Sequence, residues 1–392
     1  MRVPILIVGG GIGGMTAALA LADAGFPVHV VEQAAEFTEI GAGIQLAPNA
    51  LRILDRLGLL PEIDKLAVRP SSLVLLDIET AEPLATVDLA EPFVSRYGYP
   101  YIVLHRGDLL EVLVAQCRAN ELITLEPNKA VMAVADNEDW ARVDFADGTS
   151  YSCDAVVGAD GLWSKVRELV SNDQPVCSAY VAYRGAVAID ELPLRVDKDT
   201  EYIWIGPNKH LVQYPIRGGE LYNQVAVFRS GRYRDGADRD DDWGTPDELD
   251  EHFGNACDQV RASLTLFKRE RRWPMYDRVP ITNWTTGRIT LLGDAAHPML
   301  QYLAQGACQA IEDAGSLAQF MVKHDGDVTE AFASYQQERL PRTAQIQRVA
   351  RAWGEIWHAT DTIVPALRNR VFARSSAEHY VDLDWLYQSE LV

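Results

Sequence analysis

Three glycines near the beginning of the sequence, Gly9, Gly11 and Gly14, have the spacing G-x-G-x-x-G. They follow an apolar run over 4–8, which predicts a buried strand, and they lead into a helical pattern over 15–24. In such a turn Gly9 permits the tight bend, Gly11 lets the backbone approach a pyrophosphate, and Gly14 lets the helix pack on the strand. The free N–H groups at the beginning of the helix can then bind phosphate. The pattern predicts a dinucleotide site.

An acidic residue, Glu32, closes the next predicted strand, 28–31. At this position a carboxylate accepts hydrogen bonds from a ribose diol and repels a 2′-phosphate. Glycine-rich turns also simply join strands to helices, but here the strand, the spacing, the helix and the acidic residue all agree. We therefore favour dinucleotide binding over a structural turn, and the motif leaves open which dinucleotide is bound.

The elements that position these groups follow from the patterns along the 392 residues. Strands and helices alternate over 1–176, and a buried-strand pattern returns within 276–345. Between them, short alternating runs over 177–275 predict an antiparallel sheet, with a turn at 218–219. The predicted fold is therefore α/β, with a Rossmann-like domain (1–176 and 276–345), an inserted β-rich domain and a C-terminal helical tail, 346–392.

The charge balance limits the partners that we expect. The chain has 56 acidic and 36 basic residues and a formal net charge of -20. Such a surface repels nucleic acid and anionic membranes, so we expect neither as a partner. No apolar stretch approaches the roughly 18 residues of a membrane span. We expect no membrane span.

Five cysteines are scattered along the sequence without a close pair. An odd, scattered set is typical of reduced thiols in the cytoplasm, which is the predicted location. The histidines form no recognisable set of ligands, so we predict no metal site.

Four motifs taken together resemble those of the single-component, FAD-dependent aromatic hydroxylases. They are the glycine turn, a His-Arg-Gly-Asp segment at 105–108, a strand and turn over 156–161, and Gly-Asp at 293–294. The supporting strings are YGYPYIVLHRGDL, HLVQYPIRGGE, RRWPMYDRVPITNW and LLGDAAHPMLQYLAQGACQAIEDA. The resemblance spans most of the chain. A disulfide-reductase-like flavoprotein normally carries a second glycine fingerprint and a redox cysteine pair, and this sequence has neither.

The resemblance implies that FAD is held tightly and that NADH visits as a co-substrate. It assigns the cofactor contacts to Gly9, Gly11, Gly14, Glu32, Arg106, Asp160, Asp294 and Ala307. From the residues alone, other roles stay open. Asp294 could cap a helix, Asp160 could belong to a plain turn, and Arg106 could form a salt bridge with Asp108.

The same resemblance implies the groups that act on a phenolic substrate. Removing the phenol proton requires a base with a pKa near 7, and His210 is the candidate. Strand alternation brings His210 to the same face as Tyr214, although a hydrogen-bonded core histidine would show the same pattern. The family match implies that Gln301 orients the phenol, that Tyr214 contacts the substrate, and that Tyr101 lines the pocket. No lysine or arginine stands out as an anchor for a substrate carboxylate.

The activity that the resemblance implies is hydroxylation of a small phenolic acid. NADH would reduce FAD, O2 would give the flavin C4a-hydroperoxide, and oxygen would enter para to the phenol. On that basis 3-hydroxybenzoate would become 2,5-dihydroxybenzoate. Decarboxylating hydroxylation of salicylate is the nearest alternative. A flavin-binding redox sensor and a plain NAD-linked dehydrogenase are more distant ones.

The predicted tail carries Trp353, Trp357 and Trp385. We interpret Trp353 and Trp357, one helical turn apart, as core or interface residues rather than as part of a binding site. This aromatic content exceeds what a solvated tail exposes, and it predicts a homodimer contact.

Overall fold

The structure, a computed structural model, describes residues 1–38, 41–192, 196–237 and 241–388. Within these ranges the strands are β1 (Arg2–Val8), β2 (Val28–Val31), β3 (Gly43–Leu46), β4 (Ser72–Asp77), β5 (Pro83–Asp88), β6 (Ile102–His105), β7 (Ile123–Glu126), β8 (Val131–Asp136), β9 (Ala141–Phe145), β10 (Ser150–Gly158), β11 (Val176–Ala188), β12 (Thr200–Gly206), β13 (Lys209–Ile216), β14 (Leu221–Arg229), β15 (Trp273–Asp277), β16 (Thr285–Thr286) and β17 (Ile289–Leu291). The α-helices in the same ranges are α1 (Ile12–Asp23), α2 (Pro48–Arg56), α3 (Leu60–Asp64), α4 (Glu91–Tyr97), α5 (Arg106–Ala119), α6 (Pro246–Phe253), α7 (Asp258–Leu264), α8 (Gly306–Lys323), α9 (Val328–Trp357), α10 (Ile363–Phe372) and α11 (Val381–Tyr387).

The first sheet is the predicted dinucleotide-binding sheet. Its parallel strands lie in the order β17-β10-β1-β2-β7, and the antiparallel strands β16, β9 and β8 complete it within the described residues. The apolar run of β1 is buried on both faces, as is usual for a parallel strand covered by helices. The expected parallel strand over 122–125 is confirmed as β7, next to β2.

The second sheet has the strand order β15-β11-β14-β13-β12-β4-β5. The predicted turn between β13 and β14 is confirmed, with a short 3-10 turn at Arg217–Gly219. The prediction over 1–176 differs from the structure at one point. The β4–β5 hairpin joins the second sheet, because β4 pairs in parallel with β12.

The two faces of the second sheet have different coverings. On one face, Trp204 and Leu211 pack with Phe253 of α6 and Val260 of α7. The opposite face carries Ile203, Ile205 and Val225, which belong to a separate apolar cluster with Tyr302 and Trp357. This second face is the one that lines the cavity described below.

The C-terminal helices begin inside the predicted first domain and continue past its boundary. Asp327 caps α9 by accepting hydrogen bonds from the N–H groups of Thr329 and Glu330. Because α9 is continuous to Trp357, the expected boundary at 346 falls within a helix. None of the helices in the described ranges is long and apolar enough to cross a membrane.

Candidate active site

A cavity of about 1040 Å³ opens where the parallel strands of the first sheet end. The carboxyl ends of β1, β2, β10 and β17 line one side, and one face of the second sheet lines the other. Ligands of open α/β sheets bind at this edge. Every predicted site residue lines the cavity except Gly14, which packs beneath it.

The glycine turn forms one end of the cavity, and its geometry explains two of the glycines. Gly9 has φ of +110°, and a Cβ there would lie 2.3 Å from the carbonyl oxygen of Ala159. A Cβ on Gly14 would lie 2.0 Å from the carbonyl oxygen of Gly9. Gly11 occupies the N-cap position of α1 and lines the cavity with Ile12. The beginning of α1 therefore presents backbone N–H groups to a ligand.

Glu32 is held next to this turn by the backbone. Its Oε2 accepts the N–H of Gly10 at 2.8 Å, and its Oε1 accepts the N–H of Ala34 at 2.9 Å. Each carboxylate oxygen has further lone pairs, and the residue lines the cavity. The arrangement can therefore accept ribose hydroxyl groups.

Asp294 lies on the opposite side of the turn, in a loop that begins at Gly293 with φ of +62°. Its side chain is exposed to the open space of the cavity. Desolvation in this recessed position raises the pKa of Asp294, and the nearby charges of His297 and Arg106 oppose the shift. Ala307, at the beginning of α8, lines the adjacent wall.

Asp160 acts within its own loop. Its carboxylate accepts hydrogen bonds from the Ser164 hydroxyl at 2.5 Å and from the Lys165 and Val166 N–H groups at 2.7 and 3.2 Å. These hydrogen bonds hold the loop that contains Asp160 and Gly161, and both residues line the cavity.

Asp108 lies within α5, which begins at Arg106. It lies in the first turn and accepts two hydrogen bonds from Arg217, at 2.6 and 2.9 Å. Arg106 lines the cavity.

A chain of hydrogen bonds connects three side chains on the substrate side. Arg184 Nη2 donates to Gln301 Oε1 at 2.8 Å, and this fixes the orientation of the amide. Gln301 Nε2 then donates to His210 Nε2 at 3.2 Å. The other ring nitrogen of His210 lies 2.7 Å from His358 Nε2. The structure thus brings His210 and Gln301 together.

His210 is fully buried, and this burial lowers its pKa well below the usual value, with smaller contributions from His358 and Arg184. The imidazole is therefore neutral at physiological pH, and its Nε2 faces the Gln301 amide with a lone pair. A neutral imidazole is the form that accepts a proton. The lowered pKa departs from the value near 7 that was expected of the base, because burial disfavours the charged form of the ring.

Tyr101 and Tyr214 are buried and line the cavity. Burial raises the pKa of both hydroxyl groups, so both remain protonated and can donate hydrogen bonds. Tyr214 lies against Gly43, where a Cβ would come within 2.6 Å of the Tyr214 hydroxyl oxygen. The glycine thus leaves room for the tyrosine at the cavity wall.

Several cavity residues were missed by the sequence analysis. Arg184 on β11 supplies a half-buried cation, and Glu201 on β12 supplies a buried acid. Strand alternation could have indicated both, had the inner face of each strand been known. Trp353 and Trp357 pack in the apolar cluster with Tyr302, as the core interpretation expected, and both also line the cavity.

The described residues contain no group of three or more His, Cys, Asp or Glu side chains placed to hold a metal ion. His297, which the sequence analysis left without a catalytic role, is buried and lies 2.5 Å from Asp313 Oδ2. It forms part of the support beneath the Gly293 loop.

Comparisons with known proteins agree with this geometry. Residues 2–350 match the family model described as an FAD binding domain. The 3-hydroxybenzoate 6-hydroxylase of Polaromonas naphthalenivorans is 38% identical over 98% of this chain and 95% of its own length. The 3-amino-4-hydroxybenzoate 2-monooxygenase of Streptomyces platensis is also 38% identical, over 99% of this chain and 96% of its own.

Among solved structures, Klebsiella pneumoniae HpxO complexed with FAD and uric acid superposes with a TM-score of 0.86 and 25% identity. The match covers 98% of this chain and 96% of that one. The resemblance inferred from the sequence is thereby confirmed, as is FAD as the cofactor. The chain belongs to the FAD-binding-domain family, and within it to the FAD-dependent aromatic monooxygenases.

Proposed function

We propose that this enzyme uses NADH and O2 to hydroxylate 3-hydroxybenzoate at the carbon para to its hydroxyl group, giving 2,5-dihydroxybenzoate. The similarity to a 3-hydroxybenzoate 6-hydroxylase supports this substrate. The observation that supports the chemistry most strongly is the buried chain from Arg184 through Gln301 to His210.

The residues of the first sheet fit FAD. The glycine turn has no room for side chains at Gly9 and Gly14, so the backbone stays open to the pyrophosphate. Glu32 would hold the adenosine ribose, and Asp294 would hold the ribityl chain. When bound, FAD would pass two electrons from NADH to O2, so that one oxygen atom of O2 enters the ring and the other leaves as water.

His210 Nε2 takes the phenol proton in this proposal. The substrate hydroxyl replaces the Gln301 amide as the hydrogen-bond donor to that nitrogen, and Gln301, held by Arg184, turns its amide toward the phenol oxygen. The ring thereby becomes electron-rich at the para carbon. General base assistance of this kind contributes typically ~10²–10⁴ in rate.

Charge and solvent exclusion complete the arrangement. Arg184, linked to His210 through Gln301, gives the phenolate that forms there a positive counter-charge, in a protein whose net charge is -20. Ile203, Val212 and Val225 form an apolar wall, which keeps water away from the reacting atoms. Excluding water favours transfer of oxygen to the ring over loss of hydrogen peroxide.

A homodimer remains our proposal for the assembly. Trp353 and Trp357 face the cavity, so they do not form the contact. Ile363, Leu367 and Val371 instead form an exposed apolar stripe along α10, at a spacing of four residues. If this stripe joins two copies, light scattering gives a dimer for the wild type and a monomer for Leu367→Glu. A wild-type monomer at micromolar concentration would contradict the proposal.

The substrate is tested by measuring NADH oxidation with a panel of hydroxybenzoates that includes salicylate and 3-amino-4-hydroxybenzoate. We expect 3-hydroxybenzoate to accelerate oxidation most and to give 2,5-dihydroxybenzoate, identified by mass spectrometry and NMR. NADH should be preferred to NADPH, because a single nucleotide-binding fold and an acidic protein surface, with a net charge of -20, disfavour a 2′-phosphate. Release of CO2 from salicylate would favour the decarboxylating alternative. No acceleration by any aromatic acid would favour a redox sensor.

A further inference from the structure

The face of the second sheet that lines the cavity has polar groups at both ends and apolar residues between them. In the register of β12 and β13, Ile205 pairs with His210 and Ile203 pairs with Val212. The printed pairs end at Tyr202 opposite Gln213, and strand alternation places Glu201 on the same face of β12 as Ile203 and Ile205. Four residues along a strand span about 13 Å. His210 therefore marks one end of this face and Glu201 marks the other.

Glu201 is fully buried in the cavity wall, and none of the residues that the structure describes gives it a basic partner. Its Oε1 accepts a hydrogen bond from Gln45 Nε2, whereas its Oε2 has no hydrogen-bond partner among the described residues. A buried polar atom without a partner costs free energy, and such atoms commonly belong to ligand sites. The neighbouring groups of Tyr101, Tyr214, Tyr222 and Tyr387 are hydroxyls, which donate hydrogen bonds and carry no charge.

We propose that Glu201, in its protonated form, donates its Oε2–H to the carboxylate of the aromatic substrate, with Tyr101 and Tyr214 as further donors. The acid proton resides on Oε2, since Oε1 already accepts the Gln45 amide. A carboxyl group and a carboxylate share one proton readily, whereas two carboxylates repel each other. Glu201 is thus a specificity-determining residue that holds the acid group while His210 contacts the phenol. This inference rests on the proposed function.

The protonation of Glu201 agrees with its surroundings. Burial raises the pKa of its carboxyl to about 8, opposed only by the Gln45 hydrogen bond. The group is therefore neutral at pH 7 and ionised at pH 9. Ionisation would remove the donor and set a negative charge against the substrate carboxylate.

The test is the affinity of the FAD-loaded enzyme for 3-hydroxybenzoate, measured without NADH by isothermal titration calorimetry between pH 7 and pH 9. The wild type should bind about tenfold more weakly at pH 9, because binding requires one proton on Glu201. The uncharged 3-hydroxybenzamide should show no such loss. Glu201→Gln should bind the acid with a flat pH profile. As a control, Glu248→Gln, a buried carboxyl bonded to Ser230 outside the cavity, should keep the wild-type profile.

Three outcomes would overturn the inference. If the acid binds with the same affinity at both pH values, Glu201 does not donate to it. If Glu201→Gln keeps the wild-type slope, another group titrates. If amino-substituted hydroxybenzoates instead gain affinity at pH 9, Glu201 accepts a hydrogen bond as an anion. Absence of binding by every aromatic acid at every pH would overturn the proposed function as well, which separates the two failures.

Discussion

The two sides of the cavity differ in whether their buried charged groups are paired with groups of opposite charge. Beneath the Gly293 loop, Glu312 and Asp313 are fully buried, and Arg339 bonds to both of them. Asp313 also accepts the Gly293 N–H at 3.0 Å. On the substrate side, Arg184 Nε and Glu201 Oε2 have no hydrogen-bond partner in the described part of the chain. The carboxylates of the first side are paired with cations of the protein, whereas Glu201 on the other side lacks such a pair among the described residues.

The pKa values of the carboxyl groups record the same difference. Charges of the neighbouring arginines, and of His297 in the case of Asp313, overcome burial and lower the pKa of Glu312 and of Asp313 to about 2. Glu201 has no such partner, and burial raises its pKa to about 8. Paired buried charges support the Gly293 loop, whereas the unpaired Glu201 is the group that we propose to bind the substrate.

A side chain added within the glycine turn should produce the largest effect, which is the loss of bound FAD. In Gly14→Val the added side chain would clash with the Gly9 carbonyl, which a Cβ already approaches to 2.0 Å. We expect purified protein without flavin absorbance, because the turn cannot form. Gly231→Ala is the matched control, since a Cβ there meets no atom within 4 Å. Normal flavin content in Gly14→Val would contradict the fit of FAD to this turn.

Removing the arginine from the paired network should produce the next largest effect. Arg339→Met leaves Glu312 and Asp313 without their shared cation, and breaking a buried pair in this way costs about 3–5 kcal/mol. Thermal denaturation should therefore show a clear decrease in melting temperature. Arg269→Met removes an exposed pair with Asp250 and should cost about 0–1 kcal/mol. Equal melting temperatures for the two variants would show that the buried network is not a structural support.

Glu201 should affect the melting temperature less than Arg339 does, and its contribution to stability should decrease as pH rises. The folded-state pKa of Glu201 is raised, so its contribution to stability is present below the unfolded pKa of 4.5 and is lost as pH rises toward 8. Between pH 6 and pH 8 the loss is about 2 kcal/mol at 1.36 kcal/mol per unit. The melting temperature of FAD-loaded Glu201→Gln should therefore increase relative to that of the wild type between pH 6 and pH 8. If the difference in melting temperature between the variant and the wild type stays constant from pH 6 to pH 8, Glu201 is already ionised at pH 6.

The lowered pKa values of Glu312 and Asp313 predict a loss of stability at low pH. The folded-state pKa of Glu312 is lowered to about 2, so its contribution is present above 4.5 and lost as pH falls toward 2. Acid should therefore weaken the network that Arg339 holds, in the direction opposite to the effect of Glu201.

The cofactor side was largely predictable from the sequence because it is built from local features. Gly9, Gly14 and Glu32 lie within one strand, turn and helix, and each has a backbone reason for its residue type. His210 and Tyr214 could be assigned to one face because strand alternation is also local. The family resemblance added Gln301, and the structure brings it to His210.

What could not be predicted depends on contacts between distant segments. The β4–β5 hairpin joins a sheet whose other strands lie about a hundred residues later, and no local pattern specifies that pairing. The inward direction of Arg184 and Glu201 depends on which face of the second sheet the first domain covers. Trp353 and Trp357 were noticed, but a helical aromatic pair does not itself distinguish a core from a cavity wall.

The most direct test of the central claim is the amount of hydroxylated product formed per NADH consumed by His210→Ala, measured together with flavin content and melting temperature. We expect a yellow, folded enzyme that hydroxylates about 10²–10⁴ more slowly and diverts electrons to hydrogen peroxide. His252→Ala, which changes a histidine outside the cavity, should stay coupled. Full coupling in folded His210→Ala would contradict the role of His210 as the base.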